Sequence, residues 1–133
     1  MDKSEYQSTI RSIRMQDPRY REEAYWFVRQ GLEYTVKELK KVPEGTVHHV
    51  RGQELLQGIR CYALEQFGPV AGTVLEKWGV KASEDFGEIV FNMVDFGLLG
   101  KTEQDDREDF KDVFDFHEAF VHPFLPRKTS ESS

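Results

Sequence analysis

Glu84-Asp85-Phe86-Gly87-Glu88-Ile89-Val90-Phe91-Asn92-Met93-Val94-Asp95-Phe96-Gly97-Leu98-Leu99 decides how the chain is read, together with Phe110-Lys111-Asp112-Val113-Phe114-Asp115-Phe116 a short way beyond it. In the first stretch Phe86, Ile89, Val90, Met93 and Val94 recur at helical spacing and define one apolar face. Ser83 in front of it offers an N-cap oxygen, and Glu84 and Asp85 place negative charge at the positive end of the helix dipole. Gly97 suits the left-handed position just past a helix, from which Leu98 folds back onto Met93. Residues 98–101 and 110–116 then predict the two strands of a hairpin around a charged turn, because Phe110, Phe114 and Phe116 share one parity.

Upstream, Tyr6, Ile10 and Ile13 predict a short first helix that stops before Asp17-Pro18. That dipeptide reads as the start of a second, with Asp17 as N-cap and Pro18 in the first helical position. Tyr20, Ala24, Phe27, Val28, Leu32, Thr35, Val36 and Leu39 keep one face of it as far as Lys40 and Lys41, before Pro43-Glu44-Gly45 turns the chain. Thr46-Val47-His48-His49-Val50, β-branched and bounded by Gly45 and Gly52, predicts a small strand. Leu55, Leu56, Ile59, Tyr62, Ala63 and Phe67 mark the next helix, closed by Gly68, with Pro69 opening a further one through Val70, Val74, Leu75 and Trp78 to Gly79.

The predicted fold is therefore α+β and mainly helical: a long N-terminal helix, a small strand, three helices and a C-terminal β-hairpin, the order of a winged-helix-like core. Residues 1–126 are expected to form one globular domain and 127–133 a disordered polar tail, with Pro123-Phe124-Leu125-Pro126 as an apolar clip before it. Ten Phe, five Tyr and two Trp in 133 residues supply an aromatic core without metal or disulfide. The single cysteine, Cys61, lies in an apolar helical pattern and is expected to be a buried structural thiol. The first residues carry no apolar signal and no run of apolar residues spans a bilayer, so a reducing cytoplasm is the expected compartment.

Charge separates fold from function. Residues 84–118 hold 12 of the 24 Asp and Glu but 3 of the 18 Lys and Arg, a net of −9 against +3 for the rest. A recognition helix in the major groove needs cations toward phosphates and Arg, Lys, Asn or Gln toward bases. Between Lys81 and Lys101 there is no basic residue. The expected role is a non-enzymatic protein-interaction module whose wing acids Asp105, Asp106, Glu108 and Asp109, with Asp95 as a neighbour, meet a basic protein. The alternative is nucleic-acid binding through Arg11, Arg14, Arg19, Arg21, Lys40 and Lys41, and membrane attachment is not expected.

Enzymatic signals are weak. Counting from Asp105, a calcium loop needs glycine where Phe110 stands and a bidentate acid where Phe116 stands. Asp115 with His117 is the one acid–base or metal pairing the pattern offers, with His48 as a further candidate, and no cofactor is expected. Asp85-Phe86-Gly87 and Asp95-Phe96-Gly97 spell a kinase triplet without a catalytic or phosphate loop. Trp26, Phe91 and Phe96 fall off their helices' core faces, as a second helix contact or a docking patch would require.

Val50-Arg51-Gly52-Gln53-Glu54-Leu55-Leu56, Phe67-Gly68-Pro69, Trp78-Gly79, the run from Glu84 to Asn92, Gly97-Leu98-Leu99 and Lys101-Thr102 resemble an uncharacterised bacterial family associated with planctomycetes and verrucomicrobia. The likeness covers roughly residues 25–120, and Arg51 and Gly100 stand where relatives often have Ser. It implies no activity, cofactor or catalytic residue.

Overall fold

The stop signals at Asp17, Gly68, Gly79 and Gly97 all end helices, and those helices assemble without a sheet among the described residues. The computed structural model describes residues 3–39, 52–99 and 114–120, and these are almost entirely helical, with no strand among them. The described elements are α1 (Lys3–Gln16), α2 (Glu22–Leu39), α3 (Gly52–Phe67), a 3₁₀ turn (Gly68–Val70), α4 (Ala71–Lys77), α5 (Ser83–Asp95) and α6 (Phe116–Phe120).

The architecture is all-α, which overturns the α+β, winged-helix-like expectation. Leu98 and Leu99 do not begin a strand. The Leu98 N–H returns to the Met93 carbonyl at 2.8 Å and the Gly97 N–H to that of Val94 at 3.1 Å, the paired bonds that close a helix around a glycine at φ 80°. At the other end of the expected hairpin Phe116 opens α6. Asp115 caps it, accepting the Glu118 N–H on Oδ1 at 3.1 Å and the Ala119 N–H on its carbonyl at 2.9 Å. Phe116 and Phe120, one helical turn apart, stack at 4.9 Å, and Phe114 meets Phe120 edge-on at 5.6 Å. Three Phe of one parity over so short a window do not separate a strand from a capped helical turn. The expected strand at 46–50, the charged turn of the expected hairpin with the strand residues 100–101 and 110–113 beside it, the clip at 123–126 and the tail at 127–133 lie outside the described residues.

Tyr6, Ile10 and Ile13 bury the predicted face of α1 against α2 and α5. The core continues through Tyr20, Ala24, Phe27 and Val28, then Leu55, Leu56, Ile59 and Ala63, then Leu75, Phe86, Ile89 and Met93, and ends on Phe120. Each large apolar side chain taken fully from water contributes about 1.5–3 kcal/mol, so this face is the main source of stability. Phe27 holds the middle, stacked on Tyr62, Phe67 and Trp78 at 5.3–5.6 Å. α2 and α3 form the most extensive helix pair, and they approach closely because Gly31 faces Ile59 and Gly58 faces Thr35.

Local expectations are corrected at four points. Asp17 does not cap α2: its N–H ends α1 on the Ile13 carbonyl at 2.8 Å, its carboxylate holds the Arg19 N–H and side chain, and α2 begins at Glu22. Ser83 does not cap α5. Ala82 occupies the N-cap, has no side-chain acceptor, and Asp85 reaches back with Oδ2 to the N–H groups of Lys81 and Ala82 at 2.8 and 3.1 Å. Val70 and Cys61, expected inside, are exposed, because the 3₁₀ turn rotates the one outward and the polar side of α3 carries the other. Of the aromatics left unexplained by periodicity, Trp26 stacks on Tyr6 at 4.7 Å, and Phe91 and Phe96 are partly buried against the core.

Candidate functional site

α5 carries the beginning of the acidic segment, and most of its polar face is turned inward on residues 17–25. Arg19 grips Asp17 with two nitrogens, Nε to Oδ1 at 2.8 Å and a terminal nitrogen to Oδ2 at 2.7 Å, and the same terminal nitrogen lies 3.3 Å from Glu88 Oε1. Asn92 donates to Asp17 Oδ2 at 3.0 Å and to the Tyr25 hydroxyl at 3.1 Å. The Tyr20 hydroxyl donates to Asp85 Oδ1 at 2.6 Å, and Arg14 Nε donates to the Tyr20 carbonyl at 2.8 Å. One polar network thus ties the turn before α2 to the length of α5.

The sequence positions are in place for this but two of its hubs are not legible in the pattern. Asn92 is the one non-acidic polar residue on α5 apart from Ser83, a signal that its amide bridges two partners. Tyr25 lies off the stripe of α2, yet it is fully buried, and its hydroxyl is what Asn92 reaches.

Burial and partners shift the ionisations. The Arg19 fork, with help from Asn92, holds the Asp17 carboxyl well below the usual range. Burial raises the Tyr20 and Tyr25 hydroxyls, that of Tyr20 further through its bond to Asp85, and burial pushes Tyr6 from 10.0 up to about 12. For Asp17, a lowered folded pKa means a stabilising contribution present above about 3.8 and lost as pH falls. For Tyr6, a raised folded pKa means a contribution present below 10.0 and lost as pH rises toward about 12, and the raised Tyr20 and Tyr25 hydroxyls act in the same direction. Chemical denaturation as a function of pH is therefore expected to show stability falling at both ends. Tyr6→Phe is expected to make the alkaline limb shallower without loss at neutral pH, since the Tyr6 hydroxyl has no hydrogen-bond partner among the described residues. An alkaline limb unchanged by the substitution would contradict the assignment.

Of the expected partner-binding acids, Asp95 is exposed at the last residue of α5, with no ion pair among the described residues. Asp105, Asp106, Glu108 and Asp109 lie outside the described residues, as do Lys40, Lys41 and His48 and the side chain of His117. Asp115 serves as the cap of α6 rather than sharing one side of a strand with His117. The basic residues at the N-terminal end do not form one free patch. Arg14 and Arg19 are engaged as described, and Arg11 lies 4.0 Å from Glu22. Among the described residues no group of three His, Cys, Asp or Glu converges to hold a metal ion, and no helix is long and apolar enough to cross a membrane.

Comparison with protein-family models, curated proteins and solved structures returns no match.

Proposed function

We propose that the chain is a helical, non-enzymatic protein-interaction module whose acidic segment, with Asp95, Asp105, Asp106, Glu108 and Asp109, engages a basic protein in the cytoplasm. The observation that carries the reading is the charge segregation, −9 over residues 84–118 against +3 elsewhere. Internal pairing supports it by its direction. Glu88 shares Arg19 with Asp17 and Asp85 is spent on the start of α5, whereas Asp95 projects into solvent beyond them. Exposed charges of one sign steer a partner of the other and fade with salt, on a length of about 8 Å at physiological ionic strength.

Capture of basic proteins is expected to weaken steeply between low and high salt, and to be lost when the five acids are replaced by Asn and Gln. Equal capture by that variant would remove the proposal. Nucleic-acid binding through the N-terminal arginines is the weaker reading, since Arg14 and Arg19 are already engaged within the fold.

A further inference from the structure

A cleft of about 300 Å³ opens between α1, α2 and the turn after α5, lined by Tyr6, Arg29, Leu32, Glu33, Leu98 and Leu99. That volume is at the lower end of the range for small-molecule sites. Its lining joins three leucines to two side chains, Arg29 and Tyr6, whose donor groups have no hydrogen-bond acceptor among the described residues. The Arg29 guanidinium lies over its aromatic neighbours, 4.5 Å from the Tyr6 ring centre and 5.8 Å from that of Trp26. Its Nε is 3.7 Å from Glu33, beyond hydrogen-bond reach, and the guanidinium makes no hydrogen bond among the described residues. The Tyr6 hydroxyl is buried with no partner, on a side chain only 4% exposed. A buried donor left without an acceptor is a cost to the fold, which an acceptor entering beside it would relieve.

We propose that this cleft binds a small amphipathic monocarboxylate, its aliphatic body against Leu32, Leu98 and Leu99 and its carboxylate on Arg29 beside the Tyr6 hydroxyl. The planar fork of arginine matches a carboxylate with two parallel bonds, and the contact with Tyr6 and Trp26 holds it in place. Glu33 is the competing anion. Its side chain is 64% exposed, so it swings into water when the ligand carboxylate takes its place, and its charge weakens the ligand it yields to. The site does not depend on the acidic-surface reading, and either can fail alone.

The test uses octanoate, with octan-1-ol and acetate as controls, titrated into the full chain while the methyl resonances of Leu32, Leu98 and Leu99 are followed. Octanoate is expected to shift all three leucines saturably, acetate to bind far more weakly for want of a body, and octan-1-ol for want of a charge. Arg29→Gln is expected to weaken octanoate about 10-fold or more and Tyr6→Phe several-fold, as loss of a charged and a neutral hydrogen bond implies. Glu33→Gln is expected to tighten it, an effect that a merely destabilised fold would not produce. Absence of saturable shifts, equal binding of octan-1-ol and octanoate, or undiminished binding by a folded Arg29→Gln variant would each overturn the proposal.

Discussion

Gly79→Ala is expected to destabilise the fold by about 3 kcal/mol, whereas Gly97→Ala, the same substitution at the same kind of helix end, costs about 1 kcal/mol. Both glycines close a helix in the left-handed region, Gly79 at φ 97° and Gly97 at φ 80°. The conformational penalty of a Cβ is common to the two. The surroundings differ. Nothing lies within 4 Å of a Cβ built on Gly97, but one built on Gly79 collides with the Arg19 carbonyl oxygen and comes 3.3 Å from the Tyr20 ring. That carbonyl cannot yield easily: Arg21 N–H is bonded to the Trp78 carbonyl at 3.0 Å, and the Tyr20 carbonyl next to it accepts from Arg14. Val80, whose N–H returns to Leu75 at 2.9 Å and whose side chain is fully buried, anchors the other side. Urea denaturation of the two variants measures the difference directly. Equal midpoints would mean that the close approach of residues 19–21 to the end of α4 is not a feature of the folded protein.

Gly58→Ala is expected to cost about 2 kcal/mol even though alanine is the better helix former by about 1 kcal/mol. A Cβ at Gly58 overlaps the Thr35 hydroxyl and lies 2.8 Å from Thr35 Cβ. Thr35 is buried and β-branched, and its hydroxyl donates to the Gly31 carbonyl at 2.7 Å, so no free rotamer removes it. The pair supplies its own control. Thr35→Ala alone loses a hydrogen bond and some packing, but in combination with Gly58→Ala it removes the hydroxyl and methyl that the new side chain meets, leaving only the 2.8 Å approach of the two Cβ atoms to be relaxed. The double variant is expected to be more stable than the sum of the single losses by about 1 kcal/mol or more, the signature of residues in contact. Strict additivity would place the two side by side on α2 and α3 without touching.

The helices were legible to different depths. Those with a clear apolar stripe and a clear stop read well: the faces of α1 and α5 are buried largely as spaced, and the stop residues Gly68, Gly79 and Gly97 all have positive φ. Their starts read poorly, because several polar residues compete for the cap. Asp17 was a plausible N-cap, but Arg19 and Asn92 take its carboxylate, and at α5 the reach of Asp85 makes Ser83 unnecessary. The strand expected over 110–116 is not found at its described end, 114–116, because aromatic parity over a few residues is matched equally by Phe116 and Phe120 on one face of a capped turn. For the candidate site, the acidity was plain in the sequence, but which acids are consumed internally was not: Glu88 and Asp85 have partners 69 and 65 residues away.

What the sequence determined by itself is local and additive: helical periodicity, the glycines that end helices in a conformation other residues avoid, and the sum of charges over residues 84–118. What only the tertiary structure decided is which of those charges are spent. Arg19 and Asn92 reach Asp17, Glu88 and Tyr25 because α5 packs across the turn before α2, and Arg29 rests on Tyr6 because α1 lies beside α2. Hydrogen bonds and ion pairs depend on distances of a few ångströms between residues far apart in the chain, and no pattern of neighbours along it encodes those distances.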